Sequence, residues 1–522
     1  MLRPTFLGFE TAKRGLTAAQ KGLDIAGQNL TNWDSIGYTR QRMTQVAVAP
    51  DAYRSRFSSS KVGFAGQGVD IIGIGQTRDQ FLDKRFREES GDVGYYSQSS
   101  KILNDIQVAL NEYNPKTDVG LRSNLLSIND ALQAFSTNAF SETHANIVAT
   151  EFKNLTQTLQ QISTKLQSAL RQQKYDLEVS VQDVNKKLQQ VAGLNQAILE
   201  DMSAAIRDNP YFGPNELLDQ RNVLLDELSQ FMDLEYTNNA DGTVTVMVNG
   251  QTVVSGNKFD KLEMMEDKAT GVSSVRWIST NKQADLTTGS LKASLDYING
   301  RGPNLKNPGE STAKGFLYYK DKLNTFAQTF ANVVNNIIPE VDEDGKPIEG
   351  KYRKLLGAMS DEPDATGKYT VDPDGDITAD NLSITDEWAL DPGYIIYLRN
   401  PEDGTADNVG NYALAMAQAL AEGTHYFNSN GEEVNGSFLD YVKGYATTLA
   451  EDVSFSENRH VATTTITNSL NDSRDEVAGV VVDEEVADLM LYQKSLSAAS
   501  RLMTAMDEAL DVLINKTGLV GR

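Results

Sequence analysis

"FETAKRGLTAAQKGLDIAGQNL", residues 9–30, repeats itself every seven positions. Phe9, Leu16, Leu23 and Leu30 form one row, and Ala12, Ala19 and Ala26 form a second row three positions further on. Apolar residues at this spacing share one side of an α-helix and make the seam of a coiled coil. Gly8, Gly15 and Gly22 recur at the same interval. Each glycine costs a helix about 1 kcal/mol relative to alanine. Three in one row point to a neighbouring helix that approaches closely, or to a segment not built to stand alone. "NLTNWDSIGYTR", 29–40, then ends the helix: Asn29 and Asn32 suit local bonding to the backbone, and Gly37 permits a turn.

The far end answers the near one. In "GVVVDEEVADLMLYQKSLSAASRLMTAMDEALDVLIN", 479–515, Leu489, Leu496, Met503 and Leu510 form a heptad row, with Tyr492, Ala499, Met506 and Leu513 as its partner row. Asp483, Glu484 and Glu485 stand where a helix start favours anions, with Asp483 as the expected N-cap. Through residue 45 the chain carries Arg3, Lys13, Arg14, Lys21, Arg40 and Arg42 against Glu10, Asp24 and Asp34, while its last segment is net acidic. The opposite signs favour pairing of the two ends. One seam does not recover the conformational entropy of ordering a 30-residue arm, so both arms are expected to be largely disordered in the monomer. They are expected to become a coiled coil on assembly.

Between the arms the fold class is mainly α with β inserts. Residues 1–40 form the N-terminal arm and 41–231 the first part of a long-helix bundle, in which 145–205 carries the longest apolar period. A β-rich insert follows at 232–310, where "DGTVTVMVNGQTVVSG", 241–256, alternates valine with polar residues around an Asn-Gly turn. A bundle helix at 311–340, a small outer β insert at 341–404, the last part of the bundle at 405–478 and the C-terminal arm at 479–522 complete the order. Whether the two β segments fold as one domain or two stays open.

Composition narrows the chemistry. The chain has 522 residues, 40% of them hydrophobic, and a formal net charge of −24. That charge repels phosphate backbones and anionic lipid, so neither nucleic acid nor membrane is an expected partner. There is no cysteine, which removes disulfides and thiolate chemistry, and His144, His425 and His460 are far apart in sequence. "DPDGD", 372–376, fails as an EF-hand loop, because its glycine and glutamate positions hold Ile377 and Ser383. "GQGVDIIGIG", 66–75, lacks the phosphate-cradling pattern. Asp219 and Arg221 read as an ion-paired helix start. No catalytic, metal-binding or cofactor-binding constellation is found, so no cofactor is expected and the chain is not read as an enzyme. A glycan hydrolase using Asp372 and Asp376 remains a rival reading, as does a soluble coiled-coil scaffold.

"QNLTNWDSIGYTRQ", 28–41, resembles the signature after the first helix of bacterial flagellar axial proteins, with Asn29, Asn32, Gly37, Tyr38 and Arg40 matching. "GQGVDIIGIGQTRDQFLDKRFR", 66–87, "NELLDQRNVLLDELSQFMDLEY", 215–236, and the 479–515 segment are similar to the hook-associated protein 1 family. The resemblance implies terminal arms paired as a coiled coil in the wall of a tube, with helical and then β-rich domains outside. It implies a structural link between hook and filament, self-assembly, and contacts with hook protein and hook-associated protein 3. It also implies export without a cleaved signal peptide through the flagellar type III apparatus to the outside of the cell. A cytosolic export chaperone would hold the C-terminal arm, with Leu489, Leu496, Leu510 and Leu513 as candidate contacts. Another axial protein, hook-associated protein 3 among them, is the alternative within the class.

Overall fold

The structure, a computed structural model, describes residues 5–48, 68–110, 120–208, 213–342, 347–360, 362–363, 368–396 and 409–516. Arg3, Gly66 and Gln67 lie outside the described residues, as does the side chain of Leu513.

Helix α1 (Thr5–Thr31) leads into an antiparallel hairpin, β1 (Gln41–Ala47) and β2 (Val69–Gln76). Helices α2 (Gln80–Leu110), α3 (Leu121–Thr137), α4 (Glu142–Asp208) and α5 (Asn215–Ser229) follow. The first β module holds a four-stranded sheet, β3 (Glu235–Asn238), β4 (Val244–Val248), β5 (Gln251–Ser255) and β6 (Lys258–Phe259), and a hairpin of β7 (Leu262–Glu266) with β8 (Ser273–Trp277). Asn249 and Gly250 turn β4 into β5 with positive φ at both positions, the geometry that makes Asn-Gly a hairpin signal. Helices α6 (Ser290–Ile298) and α7 (Phe316–Val334) precede a second β region, β9 (Pro339–Val341) to β13 (Leu382–Ile384), and a short helix α8 (Asp386–Leu390). Helix α9 (Val409–Ala421), a hairpin of β14 (His425–Ser429) and β15 (Glu432–Gly436), α10 (Phe438–Ala478) and α11 (Val482–Asp511) complete the chain. Helix is expected throughout 405–478; the hairpin interrupts it, and its residues Phe427 and Val434 pack into the helical core.

Two hydrophobic cores share one spine. The first gathers α2, α3, the N-terminal half of α4, α7, α9 and the start of α10 around Phe152, Phe326, Phe330, Trp388 and Phe438. The second gathers the C-terminal half of α4, α5 and the first β module around Val184, Val246, Val254 and Trp277. Helix α4, 67 residues and about 100 Å long, runs through both, and Leu170 packs against each. The two β regions therefore belong to separate cores, because each closes a different half of the spine.

Away from these cores, α1 packs on α11. Gly8, Gly15 and Gly22 face Met506, Ala499 and Tyr492, so the helices run antiparallel, and a β-carbon at Gly22 would strike the Tyr492 ring. Ala12, Ala19 and Ala26 are buried, whereas Phe9, Leu16, Leu23 and Leu30 are only half-buried. The small residues thus form the centre of the contact, since they let the backbones close in, and the large row expected to lead the seam flanks it instead.

Candidate functional site at the root of the arms

The stretch 29–40 lies where both arms leave the body. Asn32 Nδ2 donates to Gln28 O at 2.9 Å, the local bond expected of it, and Gly37 turns the chain with φ +79°. Asn29 does more than bond locally. Its Oδ1 accepts from Gln41 N (3.0 Å) and Tyr38 OH (2.8 Å), and its Nδ2 donates to Gln41 O (3.0 Å) and Glu485 Oε2 (3.1 Å). Both lone pairs and both N–H groups of a side chain 1% exposed are used, which a buried amide requires.

Arg40 completes the joint. Its guanidinium meets Glu484 and Glu485 at 2.7 Å each and Asp488 at 3.9 Å, and its backbone N–H donates to Ala478 O at 2.8 Å. Partial burial opposes the Arg40 charge, but the carboxylates of Glu484 and Glu485 outweigh it and raise its pKa. Burial, followed by the charges of Asp219, Glu216 and Glu485, pushes the Tyr38 phenol up as well. The acidic start of α11 therefore acts as a receptor for the Gly-Tyr-Thr-Arg arginine. Val481, not Asp483, occupies the N-cap position, because Asp483 already lies in the first turn and the carboxylates of Glu484 and Glu485 turn to Arg40.

A second layer ties this joint to the body. Asp219 accepts from Thr39 Oγ1 (2.6 Å), Thr39 N (3.2 Å) and Gln76 Nε2 (2.8 Å), with Arg78 at 4.0 Å. Burial pushes its carboxyl up to about 6, although the Thr39 bonds and the Arg78 charge oppose the shift. Arg78 also binds Asp83 (2.7 Å), Arg474 bridges Asp83 (3.0 Å) to Asp226 (2.7 Å), and Arg87 closes on Asp226 (2.6 Å). At Asp83 burial raises the pKa, but Arg78, Arg474 and Arg87 overcome it and hold it below the usual range. Arg221 points the other way, to Asn195 Oδ1 (3.2 Å) and Gly242 O (2.7 Å), and burial, then Arg87, lowers its pKa to about 10. The Asp-Gln-Arg segment thus links the arm root, through Asp219, to the spine and first β module, through Arg221. Read as an ordinary ion-paired helix start, its two charged residues are instead buried links to separate parts of the molecule.

The remaining candidates fall elsewhere. Leu489, Tyr492, Leu496, Met503, Met506 and Leu510 are half-buried along α11. Asp372 and Asp376 are exposed in a turn that Asp372 caps by accepting from Asp374 N at 3.0 Å. His144, His425 and His460 sit on α4, β14 and α10. Among the described residues no group of three or more His, Cys, Asp or Glu side chains is placed to hold a metal, and no helix is long and apolar enough to cross a membrane. Sequence reasoning missed Arg78, Asp83, Arg87, Asp226 and Arg474. The four-residue spacing of Asp83 and Arg87 and the seven-residue spacing of Asp219 and Asp226 were the available signals, since each pair shares a helix face.

Flagellar hook-associated protein 1 of Bacillus subtilis is 30% identical to this chain over 99% of both. The chain belongs to the flagellar hook-associated protein 1 family. The Escherichia coli member is 23% identical, covering 97% of this chain and 98% of its own. The model of the flagellar hook-associated protein FlgK helical domain matches residues 104–347, the region that contains the α4 spine. Flagellar hook junction protein FlgK from Burkholderia pseudomallei shares the fold, with a TM-score of 0.53 at 14% identity over 76% of this chain and all of that one. Membership places the chain in the flagellum as a hook-associated protein.

Proposed function

We propose that this chain is a non-catalytic structural adaptor that joins the flagellar hook to the filament by self-assembly. The observation that carries the reading is the lock at the arm root: Asn29, Tyr38 and Arg40 from one end of the chain converge on Glu484 and Glu485 near the other. An enzyme would concentrate such a constellation in a substrate cleft. Here it sets the direction in which two helices leave a rigid body, which is what a subunit of a helical tube must hold constant from copy to copy.

On this reading the body comprises the bundle over 41–231, 311–340 and 405–478 with its β inserts, and the arms at 1–40 and 479–522 order fully when neighbouring copies cover them. Hook protein lies on one side and hook-associated protein 3 on the other. The protein reaches the cell exterior unfolded through the type III apparatus, with a cytosolic chaperone on the C-terminal arm until export. The half-buried Leu489, Leu496 and Leu510 support that role, because an unfolded arm exposes them all.

The test is deletion and complementation in a flagellated host. Loss of the chain is expected to leave hooks without filaments and to release filament protein into the medium. The full-length chain restores filaments, and purified protein adds to isolated hook ends. Normal filaments in the deletion strain would overturn the assignment.

A further inference from the structure

Far from the arms, a cleft of about 880 Å³ opens where the two cores meet, a volume within the about 300–1,000 Å³ typical of small-ligand sites. Both halves of the molecule supply its walls. Leu286 belongs to the second core, whereas Tyr297 packs on the first, and α2 adds Tyr95. Helix α10 forms one side with Asp452 and Phe455, which are three positions apart and so share a helix face. We propose that this cleft binds a short neutral oligosaccharide, hydrogen-bonded inside and stacked on Phe455 at the mouth.

The lining selects the class of ligand. Its charges are already paired: Lys292 Nζ meets Asp296 at 2.8 Å and Lys314 Nζ meets Asp452 at 3.6 Å. Asp296 also accepts from Tyr95 OH (3.1 Å) and Ser311 Oγ (2.9 Å), and Glu310 is held by Arg301 at 2.8 Å. With Asp285 the walls carry more carboxylates than lysines, so an anion is repelled. A cation would have to displace Lys292, Lys314 or Arg301 from the carboxylates they occupy.

What the walls retain is hydrogen-bonding capacity. An ammonium has three N–H donors and a carboxylate about four lone-pair sites, so an ion pair engages a hydroxyl without being broken. The Lys314–Asp452 pair is wide, and burial, opposed by Lys314, raises the Asp452 carboxyl above its ordinary value. Ser273 lines the cleft, is 2% exposed, and its Oγ has no hydrogen-bond partner among the described residues. A buried hydroxyl left in that state costs stability, which a ligand group that pairs with it recovers. Sugar hydroxyls both donate and accept, and they suit this mixture of acid, base, hydroxyl and amide better than an ion or a hydrocarbon does.

Phe455 completes the fit. It is 62% exposed although it lines the cleft, so its ring stands at the rim, where an aromatic face packs against the C–H face of a sugar ring. Because α6 and α10 carry different walls, the ligand bridges the two cores, and binding is expected to raise the unfolding midpoint of the body.

The test is titration calorimetry on the full-length monomer with maltotriose, cellotriose and tri-N-acetylchitotriose as neutral probes. At least one is expected to bind. Phe455→Ala and Lys314→Met should each weaken that probe by about tenfold, while Phe455→Tyr, which keeps the ring, binds as the parent does. Phe81→Ala removes an equally open ring, 65% exposed on α2 and outside the cleft, and should change nothing. Because Phe455 is exposed, its variants should keep the parent's unfolding midpoint without sugar, so a loss of binding reports the site and not the fold. No binding of any of the probes would overturn the proposal, and so would equal binding by the parent and Phe455→Ala. Binding of spermidine or citrate in place of the sugars would assign the cleft to an ion and overturn it as well.

Discussion

The body and the arms of this molecule are held together by different physics. In the body Phe152, Phe326, Phe330, Phe438 and Trp388 are fully buried, and Phe326 and Phe330 stack with centroids 5.8 Å apart. Among the described residues of α1 and α11 only Ala12, Ala18, Ala19, Gly22, Ile25, Ala26, Asn29 and Glu485 are buried, and the large seam residues stay half-open. Hydrophobic burial stabilises the body on its own. The arm pair relies on close backbone approach along one line and on charged and amide groups at its root. The difference teaches that an assembly protein separates its stable part from its reactive part, and that the border between them is polar because it must fix an angle as well as a contact.

Substitutions on the two sides of that border should therefore differ in size. Phe326→Ala is expected to lower body stability by about 3–5 kcal/mol in denaturant unfolding, the range for deleting a buried aromatic ring. Leu23→Ala, half-buried in the arm, should leave the same transition within about 0.5 kcal/mol. Equal effects would mean that arm and body unfold as one unit, and the comparison would fail.

The border itself comes next. Asp226→Ala leaves Arg87 and Arg474 without their shared carboxylate, and Arg87 has a side chain only 2% exposed. A loss of about 3 kcal/mol is expected for an uncompensated buried charge, with Arg87→Met, Arg474→Met added to Asp226→Ala recovering part of it. A cost below about 1 kcal/mol for the single change would show that this chain of ion pairs is dispensable.

Much of this division was legible in the sequence. The helices at 9–30 and 489–510, the Asn-Gly hairpin at 249–250 and the long apolar period of α4 were legible because each is a local repeat, although small residues, not the large heptad row, centre the arm contact. The root of the arms was only half-legible. Asn29, Tyr38 and Arg40 stood out by resemblance, but Glu485, Asp219 and Arg474, which complete their setting, lie hundreds of residues apart in sequence and carry no periodic signal. The β14–β15 hairpin was missed because its two short strands fall between helical patterns and are too brief to establish a period of their own.

Acidity sharpens the comparison at the joint. Asp219 binds its proton more tightly in the folded chain, up to about 6, than an ordinary carboxyl near 3.8. Protonation there favours the fold, so its contribution is full below about pH 4 and lost as pH rises through about 6. Asp83 is depressed, so its contribution is present above the ordinary carboxylate range and lost as pH falls. Unfolding midpoints measured from about pH 2 to 7 should lose a component that declines towards pH 6 in Asp219→Asn and one that rises across the acid end, around and below the ordinary carboxylate range, in Asp83→Asn. The same pH profile in both variants as in the parent would refute these assignments.

The smallest effect separates the arms most finely. Gly22→Ala adds a methyl group that raises helix propensity by about 1 kcal/mol in any unpaired helix. In the paired arms the same methyl runs into the Tyr492 ring. The two settings therefore predict opposite signs. Hydrogen exchange over residues 10–30 of the monomer should slow in the variant if the arms are unpaired before assembly, because only propensity then acts. It should quicken if α1 already lies on α11, because the collision then loosens the contact. Combining Gly22→Ala with Tyr492→Ala checks the cause: in paired arms the second change should restore protection by removing the obstructing ring, whereas in unpaired arms it should change nothing over 10–30.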